Sequence, residues 1–149
     1  MTPRKKRLGK LSPRYRFALN PFPEVRWSRC PRCEKLTHNR KFPLLIHVEK
    51  HGPVILGKTC RYCAPCEFII AHQAELEAEL AYLFSQRAPE VVGNRYMVMG
   101  IVERKTWQKG RDAPLGWEEL LEHTADIKQY FTLLDPRPRW ILAGPDPQV

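Results

Sequence analysis

Apolar and polar positions change period several times along the chain. Residues 42–50 (FPLLIHVEK) form an apolar, strand-like run, His51-Gly52-Pro53 has turn chemistry, and Val54-Ile55-Leu56 resumes the apolar run. This pattern predicts a β-hairpin. Further on, Ile69, Gln73, Leu76, Leu80, Leu83 and Phe84 fall near one face at helical spacing, with Glu75, Glu77 and Glu79 spread over the outer side. Pro65 suits the start of that helix and Glu67 its first turn, so the expected helix runs from about Pro65 to Arg87, where Pro89 discourages continuation. Tyr96–Val102 is a nearly continuous apolar run, expected as a strand buried on both faces. Lys105–Pro114 is a polar loop, Gly116 to about Phe131 a second helix, and Trp140-Ile141-Leu142 a last short strand. Glu24-Val25-Arg26-Trp27 is expected as another short strand.

Composition sharpens this picture in two ways. The chain has 149 residues, 14 prolines and 43% hydrophobic content, which allows one ordinary domain with a modest core that gains from a staple. No run of 18 apolar residues occurs, and the basic start is not followed by an apolar segment, so neither a membrane span nor a secretory signal is expected. The expected setting is therefore cytoplasmic, or nuclear if the source is eukaryotic. In a reducing compartment the cysteines serve as metal ligands or reactive thiols rather than disulfides.

The five cysteines stand as Cys30-Pro-Arg-Cys33 and Cys60-Arg-Tyr-Cys63-Ala-Pro-Cys66. Two cysteines at i, i+3 can curl both sulfurs around one ion, and a second such pair completes a tetrahedron. Pro31 presets the bend within the first pair. The cation implied is one structural Zn²⁺, since grouped thiolates repel one another unless a cation lies between them. Cys30 and Cys33 supply one half of the site. Cys63 belongs to either version of the second half, with Cys66 or Cys60 as its partner.

This arrangement over residues 30–66 resembles the zinc-ribbon and treble-clef zinc fingers. The ribbon likeness selects Cys60 and Cys63 on a β-knuckle. The treble-clef likeness selects Cys63 and Cys66 in the first turn of a helix, and the expected helix favours it. The implied fold class is α+β: a zinc-stapled β-hairpin followed by a long amphipathic helix, with a small C-terminal α/β extension. The implied organisation is a basic, largely disordered arm (1–23), a cysteine-ligated module with the long helix (24–88) and the extension (89–149). Residues 53–84 also resemble a thioredoxin-family active-site segment, in which Tyr62 precedes a C-x-P-C and a helix. That likeness implies a thiol-disulfide oxidoreductase with Cys63 attacking and Cys66 resolving. It leaves Cys30, Cys33 and Cys60 unused, and Gly57 stands where the strand before the motif often carries an acid. An iron–sulfur cluster on the same thiols is a further alternative.

Among the histidines, His38 and His51 lie between the cysteine clusters and are read as hairpin residues, while His72 and His123 are read as helix-surface residues. No phosphate-cradling glycine loop and no hydrolase or metalloprotease motif is present, which weighs against an enzyme.

Charge suggests a partner. Residues 1–41 carry thirteen Lys/Arg against Glu24 and Glu34, whereas residues 42–149 carry twelve against fourteen acids. Such asymmetry attracts polyanions. The expected function is binding of RNA or non-specific DNA through Lys5, Lys6, Arg7, Lys10, Arg14 and Arg16, extended to the first knuckle by Arg26, Arg29 and Arg32, with Trp27 available for stacking. The alternative is a zinc-stabilised module that recruits a protein partner through residues 90–149.

Overall fold

The computed structural model describes residues 9–112 and 116–132. Six strands close into a mixed barrel in the order β1-β4-β3-β2-β5-β6. They are β1 (Leu11–Asn20), β2 (His38–Val48), β3 (Gly52–Cys63), β4 (Phe68–His72), β5 (Tyr96–Val102) and β6 (Thr124–Thr132). β1 lies between β4 and β6 and is parallel to both, while every other pairing is antiparallel. Among the described residues three α-helices accompany the strands, α1 (Gln73–Arg87), α2 (Arg104–Asp112) and α3 (Trp117–Glu122), with one 3-10 turn at Pro89–Val91.

Strand alternation decides which side chains meet. Tyr15 and Phe17 of β1, Phe42, Leu44, Ile46 and Val48 of β2, Cys60 and Tyr62 of β3, and Ile69 and Ala71 of β4 share the main core. Leu76, Leu80 and Phe84 recur every four residues on α1 and are buried in the same core. The opposite faces of β1, β3 and β4 are not left to solvent. Ala18, Cys63, Phe68 and Ile70 form a second, smaller core with Cys30 and Cys66, against which Trp27, Cys33 and Phe131 pack. The cover for that outer face is the segment 21–37 between β1 and β2.

A closed barrel replaces the expected α+β arrangement of hairpin, long helix and separate extension. The hairpin is present as β2 and β3, longer than expected, and β5 coincides with the expected strand at Tyr96–Val102. The helix does not begin at Pro65. Residues 64–67 form a turn, Phe68-Ile69-Ile70-Ala71 enter the sheet as β4, and the helix starts only at Gln73. His72 caps it, its Nδ1 accepting the Glu75 N–H at 3.2 Å. A buried apolar run of this kind is ambiguous in period, and pairing with β1 and β3 settles it as a strand.

The C-terminal region is part of the barrel and no separate α/β unit, since β5 pairs with β2 and β6 with β1. The second helix stops at Glu122, and Thr124 to Thr132 continue as β6. The expected loop after β5 is the helix α2, and Glu24–Trp27 lie in no strand. Leu11–Asn20, assigned to the basic arm by their composition, form β1. The strand expected at Trp140-Ile141-Leu142 lies outside the described residues.

Candidate metal centre

Both C-x-x-C pairs sit on tight turns. In the first, Cys30 N–H donates to the Lys35 carbonyl and Glu34 N–H to the Cys30 carbonyl, each at 2.8 Å, and an Arg29–Leu36 bridge closes the base. In the second, Glu67 N–H donates to the Ala64 carbonyl at 3.1 Å. The residue after each pair is left-handed, Glu34 at φ 64° and Glu67 at φ 50°, which turns the chain out of the knuckle. β1 fixes the second turn in place. Arg16 N–H donates to the Glu67 carbonyl at 2.7 Å, the Arg16 guanidinium donates to the Cys66 carbonyl at 2.6 Å, and Arg14 Nε meets Glu67 Oε2 at 2.7 Å.

These turns bring Cys30, Cys33, Cys63 and Cys66 together, with all four sulfurs within 4.8 Å of one another. The two recorded close pairs each join one knuckle to the other, Cys30 to Cys66 at 3.9 Å and Cys33 to Cys63 at 3.5 Å. A regular zinc–thiolate tetrahedron with Zn–S bonds of about 2.3 Å separates its sulfurs by about 3.8 Å. The donor set therefore fits a tetrahedral thiophilic ion in number, type and spacing. All five cysteines are free thiols.

Backbone donors aim at these sulfurs. Arg32 N–H donates to Cys30 Sγ at 3.3 Å. The Lys35 N–H holds the Cys33 thiol down at about 7. Burial acts in the other direction, pushing Cys63 up to about 12 and Cys66 upward as well. A bound cation reverses this second effect, because a coordinating thiol is deprotonated outright. Trp27 packs against the cluster, and its buried indole N–H is the one side-chain nitrogen or oxygen of this kind without a partner among the described residues.

Cys60 takes no part. It lies three residues before Cys63 on one strand, so the two side chains point to opposite faces. Cys60 faces the main core, donates to the Lys58 carbonyl at 3.5 Å, and burial pushes its thiol up to about 12. This removes the Cys60–Cys63 pair of the ribbon likeness. The strand–turn–strand setting of Cys63 and Cys66 removes the treble-clef helix. It also removes the helix directly after the C-x-P-C in the thioredoxin likeness, and with it a helix N-terminus that would lower the pKa of Cys63. The histidines are elsewhere: His38 against Tyr62, His51 against Phe84, and His123 beside Glu103.

The cations singled out in the sequence do not form one track. Lys5, Lys6 and Arg7 lie outside the described residues. Lys10 is exposed just before β1, and Arg26 lines a cleft with Asn39 and Arg61. Arg29 donates to the Glu34 carbonyl, and Arg32 lies 5.7 Å over the Phe131 ring. Arg14 instead joins residues that the sequence did not single out. With Arg40, Lys41, Arg104 and Lys105 it lines a groove of about 570 Å³. Arg40 and Lys41 enter from β2, and Arg104 and Lys105 from the start of α2. A signal existed in their two adjacent basic pairs, but only barrel closure brings the pairs together.

Comparison with protein-family models, curated proteins and solved structures returned no match. Among the described residues no helix is long and apolar enough to cross a membrane.

Proposed function

We propose that the protein is a zinc-stapled barrel that binds nucleic acid. The four-sulfur cluster carries the metal part of this reading. Thiolates from two knuckles are suited to Zn²⁺, whose d¹⁰ shell accepts the tetrahedron without preference. Cys30 and Cys33 hold the ion from the β1–β2 segment, and Cys63 and Cys66 hold it from the β3–β4 turn. Four protein ligands leave no position for water, so the ion is structural and hydrolysis at the metal is not part of the function.

Zinc content tests this part. Purified reduced protein carries one zinc per chain. Chelation releases it and exposes four thiols, with a change in Trp27 fluorescence. Zinc-free protein that is equally stable and shows no change on zinc addition would overturn it.

The groove supports the nucleic-acid part. Among the described residues no carboxylate pairs with Arg40, Lys41, Arg104 or Lys105. The single acid in the lining, Glu103, is engaged by His123 at 2.9 Å. Arg104 and Lys105 open α2 at the positive end of its dipole, where Glu103, the residue just before them, is turned to His123. Four such cations on phosphates predict a slope of log K against log salt of about −3. A flat salt dependence, or no binding, would overturn this part.

A further inference from the structure

We infer that the basic groove takes a single strand of nucleic acid in preference to a duplex, an inference that rests on the nucleic-acid reading above. The groove opens where the barrel wall is incomplete. β1 has no strand partner on its β4 side before Arg16, and β2 has none on its β5 side before Leu44. The result is a concave cleft of about 570 Å³, with cations from β1, β2 and α2 along its walls. A duplex offers phosphates on a convex surface and touches only the rim of such a cleft. A single strand can lower a sugar and base into it.

Three of the groove's cations, Arg14, Arg40 and Lys41, lie over aromatic rings. The Arg40 guanidinium lies 5.0 Å over Phe42 and 5.3 Å over Tyr62, and both rings are buried in the core. Arg14 lies 4.6 Å over Tyr15, which meets Phe42 and Tyr62 edge to face. Lys41 Nζ lies 5.5 Å over the Trp107 ring. That indole rests on Gly57, where a Cβ would come within 2.6 Å of it, so glycine is needed for α2 to dock. Arg40 and Lys41 are exposed, although Phe42 and Tyr62 beneath Arg40 are buried and Trp107 beneath Lys41 is half-buried. A guanidinium held from below by rings and open above is a platform on which an unpaired base can stack. Duplex bases are already stacked on each other and gain nothing from it.

The experiment uses zinc-loaded full-length protein and fluorescence anisotropy. The probes are short labelled single strands of DNA and of RNA, and a duplex of the same length. The single strands bind about tenfold more tightly than the duplex or better. Arg40→Lys keeps the charge and loses the plane; it weakens single-strand binding about fivefold or more and leaves duplex binding nearly unchanged. Arg104→Gln with Lys105→Gln weakens every probe and flattens the salt slope. Comparing DNA with RNA identifies which strand is preferred. A duplex bound as tightly as the single strands, or Arg40→Lys without effect, overturns the single-strand inference and leaves the nucleic-acid reading standing. Unchanged binding in the Arg104/Lys105 double variant, with loss on removing residues 1–8, places binding on the arm and overturns the groove. No binding of any probe overturns both.

Discussion

Cys60 and Cys63 belong to one strand, three residues apart, and have opposite surroundings. Cys60 faces the main core with Phe42, Leu76 and Tyr62, and its buried thiol behaves as a small apolar group. Cys63 faces the outer core, where three other sulfurs lie within 4.8 Å of it. The pleat alone makes this division. It shows that the barrel wall has two interiors, one held by apolar burial and one suited to a metal ion. A strand with two covered faces needs both.

The comparison is broken most severely on the metal side. Cys63→Ser should abolish zinc retention and cost more than about 4 kcal/mol in urea unfolding, because the ligand and its tie between two distant segments go together. Leu76→Ala truncates a fully buried side chain of the main core and should cost about 2–5 kcal/mol while zinc stoichiometry stays at one. Cys60→Ala should cost about 1–2 kcal/mol by the same assay, also with zinc retained.

Alkylation kinetics sharpen the comparison through acidity. In zinc-free folded protein Cys33, with its thiol near 7, is modified first, and its rate rises as pH passes upward through that value. Cys60 and Cys63, each near 12, stay slow until the protein unfolds. Peptide mapping after a brief iodoacetamide pulse reads the order, and equal rates at all five thiols would contradict it.

The smallest effect is expected at Glu34. Its left-handed backbone favours glycine, so Glu34→Gly should be neutral or stabilising by up to about 1 kcal/mol with zinc bound.

Much of the metal centre was legible in the sequence, because the spacing of two cysteines in a turn is a local property. The choice between Cys60 and Cys66 was not, since it depends on whether residues 60–63 are extended or curled. The hairpin and β5 were legible for similar local reasons. Barrel closure was hidden in β1. Its one proline, Pro13, and its arginines read as a solvated arm, whereas Tyr15 and Phe17 alternate into the core with Arg14 and Arg16 facing out. Its two parallel partners are far away in sequence, and no local pattern announces them. The end of the second helix failed for the same reason: Thr124 to Ile127 are buried as a strand only because β1 and β5 are there to pair with. The groove shares this origin, being assembled from segments that meet only when the barrel closes.

Zinc-edge X-ray absorption on the Cys60→Ala protein tests the central claim most directly. The account predicts one zinc per chain with four sulfur neighbours at about 2.3 Å, unchanged from the parent protein. Loss of the metal in this variant, or a shell with fewer sulfurs completed by nitrogen or oxygen, would contradict it.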